Sequence, residues 1–156
     1  MMRQLVILAA LLPALSAGAQ EIPPVLPPAR VSPAFGLHYG SPLRASAAIG
    51  VLVDRDATHN DGLIAVFEPG LQGNELSAGY FKMFGSFGSG FSVRAAVIRT
   101  RAEPWNATPR TTYIGGELHS MLVFGVGGHV GFFRRAASAI NDDHDTLVSF
   151  GLSIGA

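Results

Sequence analysis

Thr146-Leu147-Val148-Ser149-Phe150-Gly151-Leu152-Ser153-Ile154-Gly155 is the stretch whose reading decides the fold. Val148, Phe150, Leu152 and Ile154 fall on one side of a period-two repeat, and Ser149, Gly151, Ser153 and Gly155 on the other. That period is the side-chain repeat of a β-strand. The second face is small rather than charged, whereas a strand on a soluble protein usually turns Lys, Glu or Thr to water. Gly and Ser inward with bulky apolar residues outward suit a narrow closed barrel whose exterior meets lipid.

Working back from this strand, the chain divides into similar runs near 34–40, 43–53, 62–69, 74–84, 90–101, 111–124, 127–136 and 146–155. Turn chemistry separates them, as in Gly40-Ser41-Pro42 and Pro69-Gly70, and Gly125-Val126-Gly127-Gly128 is read as a further turn. The expected fold is all-β: an antiparallel up-and-down barrel of about eight strands, since closure removes the sheet edges that promote aggregation.

The register can be tested from the sequence. A hairpin of 90–101 with 111–124, centred near Asn106, sets Arg94 opposite Glu117, with Ser92, Tyr113, Gly115 and His119 on the same face. Carrying the pairing onward adds His129, Gly131, Phe133 and Arg135, then Leu147, Ser149, Gly151 and Ser153. Four consecutive strands thus agree on one small or polar face. Arg44, Ser46, Ala48 and Gly50 form a comparable inner face, whereas 62–67 is apolar on both faces and obeys no such rule.

Composition points the same way. Charged residues are 14% of the chain, with 11 basic and 11 acidic side chains, against about a quarter in typical globular domains. A low charge content is expected where much of the outer surface faces hydrocarbon. The balance leaves no basic footprint for nucleic acid. There are no cysteines, so stability must come from a core, from association or from membrane insertion.

The N-terminus has the form of a cleavable signal peptide over 1–19. Arg3 precedes the apolar run Leu5 to Leu12, and Ala17-Gly18-Ala19 supplies the cleavage pattern. No cysteine follows that would mark a lipoprotein. Residues 20–33 hold five prolines and are read as an extended tether, leaving 34–156 as the barrel domain.

With this signal peptide, alternating runs of about ten residues and a last strand at the C-terminus, the chain resembles the small bacterial outer-membrane β-barrels. The resemblance implies export to the outer membrane, with membrane lipid and the outer-membrane assembly machinery as partners. Tyr39, Tyr80, Trp105 and Tyr113 are then read at the membrane interfaces.

Arg94, Glu117, His119, His129 and Arg135 are expected to form a polar cluster in the lumen. Such a cluster serves either as a proton relay or as the paired filling that an eight-stranded barrel requires. The second is favoured, because no nucleophile stands beside the histidines: Ser120 follows His119 in the strand and points to the opposite face. Outer-membrane lipid A deacylases use His, Ser and Glu on the lipid-facing wall. Here Glu117 and His119 share a face, but no serine stands two residues from His119.

The segments Asp54 to Asp61 and Asn141 to Asp145 are read as solvated turns rather than metal sites. The sequon Asn106-Ala107-Thr108 carries no meaning in a bacterial cell. The expectation is therefore an outer-membrane barrel with a structural or interaction role, no catalysis, no cofactor and no metal. The alternatives are a soluble lipocalin-like barrel holding an apolar ligand, or a lipid-modifying outer-membrane enzyme.

Overall fold

A computed structural model of the chain describes residues 29–55, 60–84, 89–123, 125–136 and 145–155. The expected signal peptide, most of the tether and most of the acidic segment 141–145 lie outside the described residues. Eight antiparallel strands close into a barrel in chain order. They are β1 (Val31–Ser41), β2 (Arg44–Asp54), β3 (Asp61–Gly70) and β4 (Gly73–Phe84), then β5 (Ser89–Thr100), β6 (Thr112–Val123), β7 (Val126–Arg135) and β8 (Thr146–Gly155).

Most strand ends lie within one residue of the sequence reading, and two of the differences have a structural reason. β1 begins at Val31, taking in Pro33. There β1 runs past the end of β8, whose pairing reaches only Gly36 to Ser41, so one edge is unpaired and proline is tolerated. The run Gly125 to Gly128 is also not all turn, because β7 starts at Val126. Gly127 belongs to the sheet and needs to be glycine: a Cβ there would lie 1.9 Å from the Ser120 carbonyl oxygen.

Pairing can be followed once around the wall. Ser41 faces Phe150, Phe150 faces Val130, Val130 faces Leu118 and Leu118 faces Val93. The path continues through Tyr80, Leu63 and Val53 to Val31, returning to β1 a stagger of ten residues from its start. With about 3.3 Å per residue and about 4.8 Å between strands, that stagger tilts eight strands about 40° from the barrel axis. A ten-residue strand at this tilt climbs about 25 Å, the height of the apolar band on outer-membrane barrels.

β1 starts and β8 stops at one end, called proximal here, together with the 55–60, 85–88 and 124–125 connections. The distal end carries the turns Pro42-Leu43 and Leu71-Gln72 and the longer segments 101–111 and 136–145. Segment 101–111 folds over this opening. Trp105 N–H donates to Pro42 O (3.1 Å), Arg101 N–H to Gln72 O (2.8 Å) and Thr108 N–H to Tyr113 Oη (3.0 Å).

The outer wall is apolar. Among the described residues, 24 large apolar side chains are exposed, from Phe35 and Leu37 on β1 to Leu152 and Ile154 on β8. Phe132 and Leu152 each expose 70% of their surface. Burying one such side chain is worth about 1.5–3 kcal/mol, so a wall of them in water would be strongly unfavourable. At the distal rim Tyr39, Trp105 and Phe150 meet on the outside, with ring centroids 6.3 and 6.1 Å apart. Tyr113 is not on this surface. It is 1% exposed and points into the barrel, as its alternation with Gly115 and Glu117 requires.

Candidate functional site

The interior has three layers. Distally, Leu43, Ala96, Ile98, Tyr113, Phe133 and Leu147 make a dry apolar plug, with Ala107 of the overlying segment against it. Proximally, Ile64 and Phe81 pack with Leu52 and Met83 around open space. Between the two lies a belt of buried polar side chains.

The titratable groups of the belt come from six strands. Arg94 on β5 faces Glu117 on β6 and donates from Nε to Ser92 Oγ at 2.9 Å. His119, two residues beyond Glu117 and so on the same face, brings Nε2 to 2.7 Å from Glu117 Oε1. His129 on β7 is the cross-strand partner of His119, and the two rings stack with centroids 5.1 Å apart. His38 on β1 completes a triangle of imidazoles, 5.7 Å from His119 and 5.8 Å from His129.

Glu68 on β3 and Glu75 on β4 face each other across the Leu71-Gln72 turn. Ser46 Oγ donates to Glu68 Oε1 at 2.5 Å, and the Glu75 and Glu117 carboxyl groups adjoin. His38 Nδ1 sits 2.7 Å from Glu68 Oε2.

The structure therefore brings Arg94, Glu117, His119 and His129 together, and it adds His38, Glu68 and Glu75, which the sequence reading did not include. Arg135 is separate. It pairs with Tyr113 at the distal rim, beyond the apolar plug, beside Arg99 and Arg110. Alternation assigns Arg135 the correct face but says nothing of its height along the axis.

Three carboxyl groups, three imidazoles and one guanidinium share this interior. Arg94, Glu68 and Glu117 are each 4% exposed and Glu75 is 6%. Charges this deeply buried are tolerated only when paired and hydrogen-bonded. Satisfaction is incomplete: Arg94 Nη1, Ser77 Oγ, Ser149 Oγ and His129 Nδ1 are buried with no hydrogen-bond partner.

Ser92 stands directly across from His119, but its oxygen accepts from Arg94. Among the described residues no serine hydroxyl is hydrogen-bonded to His119. Nor does any described group of His, Asp and Glu converge to hold a metal ion. Compared with known proteins, the chain matches no family model, no curated protein and no solved structure.

Proposed function

We propose that this chain is an exported barrel of a bacterial outer membrane with a structural or interaction role and no catalytic activity. The observation that carries the proposal is the exterior. Its exposed Val, Leu, Ile and Phe side chains encircle the wall over strands that climb about 25 Å, the height of an outer-membrane barrel's apolar band. A soluble ligand-binding barrel would need the reverse, polar outside.

The distal end is the natural outward end, because it carries the longer 101–111 and 136–145 segments and the Tyr39–Trp105–Phe150 group suited to a membrane interface. In this reading the buried belt is structural filling, with titratable side chains from six strands meeting in a lumen too narrow for a water channel.

Trp105 is the chain's only tryptophan and stands on the outer wall, so it reports insertion directly. Urea-unfolded protein diluted into phosphatidylcholine vesicles should show Trp105 emission moving to shorter wavelength, with the barrel gaining protease resistance. A chain that folds to the same protease-resistant state in plain buffer, with no change on adding vesicles, would overturn the proposal.

A further inference from the structure

Arginine is concentrated at the distal end. Arg44, Arg99, Arg101, Arg110, Arg134 and Arg135 stand there, whereas the described proximal end carries Arg30, Arg55 and Lys82. Distal carboxylates are fewer: Glu103 and Asp145, with Asp142 and Asp143 in the part of 136–145 outside the described residues.

Arg99, Arg110 and Arg135 line one open groove of about 360 Å³ with Thr111 and Thr112, and among the described residues no carboxylate lines it. Arg99 Nη1 donates to Thr112 Oγ1 at 2.8 Å, which holds the guanidinium beside the groove. Arg110, at a left-handed φ of 53°, is fixed by its backbone N–H on Arg101 O at 3.0 Å. Arg135 is tied through its own N–H to the acidic residue Asp145. The site is therefore assigned to Arg99 and Arg110, both exposed.

The groove opens onto the apolar wall. Arg99 follows Val97 on the outer face of β5, and Thr112 precedes Ile114 on the outer face of β6. Val97 and Ile114 are both exposed. Arg99 lies six residues beyond Val93, the midpoint of the path that circles the barrel. At the barrel's tilt those six residues climb about 15 Å, whereas half the height of the apolar band is about 12.5 Å. Arg99 thus stands just past the hydrocarbon edge, at headgroup depth.

The guanidinium fork matches phosphate oxygens, and the apolar strip directly below favours a phosphate that carries acyl chains over a free one. We infer that this groove binds the phosphate of an anionic lipid headgroup, with the chains lying along Val97 and Ile114. The inference rests on the membrane reading and deepens it, naming the lipid chemistry the distal rim selects.

The full chain, folded in dodecyl maltoside micelles, would be titrated with dioleoyl phosphatidate or dioleoyl phosphatidylcholine, and retained lipid counted by native mass spectrometry. The first phosphatidate should bind at least about tenfold more tightly than phosphatidylcholine, and excess inorganic phosphate should not displace it. Arg99→Gln with Arg110→Gln should weaken it roughly 25-fold, about fivefold per arginine. Arg99→Gln alone, at about fivefold, serves should the double variant not fold.

Arg55→Gln makes the same charge change at an exposed proximal position and should leave phosphatidate binding unchanged. Equal retention of the two lipids, displacement by inorganic phosphate, or an equal loss in Arg55→Gln would each overturn the inference. A barrel that inserts but shows no lipid preference fails this inference alone, whereas a chain whose Trp105 emission shows no vesicle insertion fails the membrane reading.

Discussion

Replacing Arg94 with Met should be among the most damaging single changes in this protein. The guanidinium is 4% exposed and is the cation facing Glu117, Glu75 and Glu68 in the belt. Removing one partner of a buried charge pair costs about 3–5 kcal/mol, because the remaining charge is left uncompensated. At about 1.4 kcal/mol per decade, the ratio of folded to unfolded protein should fall by roughly two to three and a half orders of magnitude.

Arg94→Met with Glu117→Leu removes both members and should recover part of that loss, though His119 then loses its 2.7 Å partner. The assay is urea unfolding in lipid vesicles, followed by Trp105 emission. That ring sits on the distal rim, outside the belt, and so reports global unfolding. A single-mutant loss below about 1 kcal/mol, or a coupling between the two sites within about 0.5 kcal/mol of zero, would refute the assignment of the belt as a paired charge network.

Other consequences concern the wall and the plug. Val93 is midway along the path that circles the barrel from Ser41 to Val31, so Val93→Arg should destabilise the lipid-inserted protein by about 2–4 kcal/mol. Leu71→Arg in the distal turn should cost at most about 1 kcal/mol, and equal effects in vesicle unfolding would contradict a lipid-facing midpoint. Gly79→Ala would bring a Cβ to 1.9 Å from the Val93 carbonyl and 2.6 Å from Arg94 Cα, both fixed backbone. A cost of about 1–3 kcal/mol is expected, against near neutrality for Gly116→Ala, whose nearest neighbour is 3.4 Å away. Tyr113→Phe removes the acceptor of Thr108 N–H. It should cost about 0.5–1.5 kcal/mol and speed hydrogen exchange at Thr108, while exchange in the belt stays unchanged.

The second half of the barrel was readable because its alternation is clean. Arg94 faces Glu117 as the hairpin centre near Asn106 requires, and Ser149 and Ser153 point inward as the last strand implies. β3 resisted reading for a physical reason. Its inner residues Ile64 and Val66 line or support the proximal apolar space, so both faces are hydrophobic and Glu68 stands alone at the far end. That two-sided apolar run was itself the signal of an unfilled lumen.

Glu68 and Glu75 also look mismatched within their own hairpin, since like charges set opposite each other repel. Their partners His38, Ser46, Arg94 and Glu117 come from β1, β2, β5 and β6, so only barrel closure accounts for them. Arg135 illustrates the converse: period-two alternation fixes a face, whereas height along the axis depends on the ten-residue stagger, which no single hairpin reveals.

The lipid-facing exterior is tested most directly by gel mobility. Membrane fractions of expressing cells, extracted in mild detergent, would be run in SDS with and without boiling. The account predicts a band in the membrane fraction whose mobility changes on boiling, as a closed, detergent-stable barrel unfolds only with heat. Protein recovered in the soluble fraction, with the same mobility before and after boiling, would contradict it.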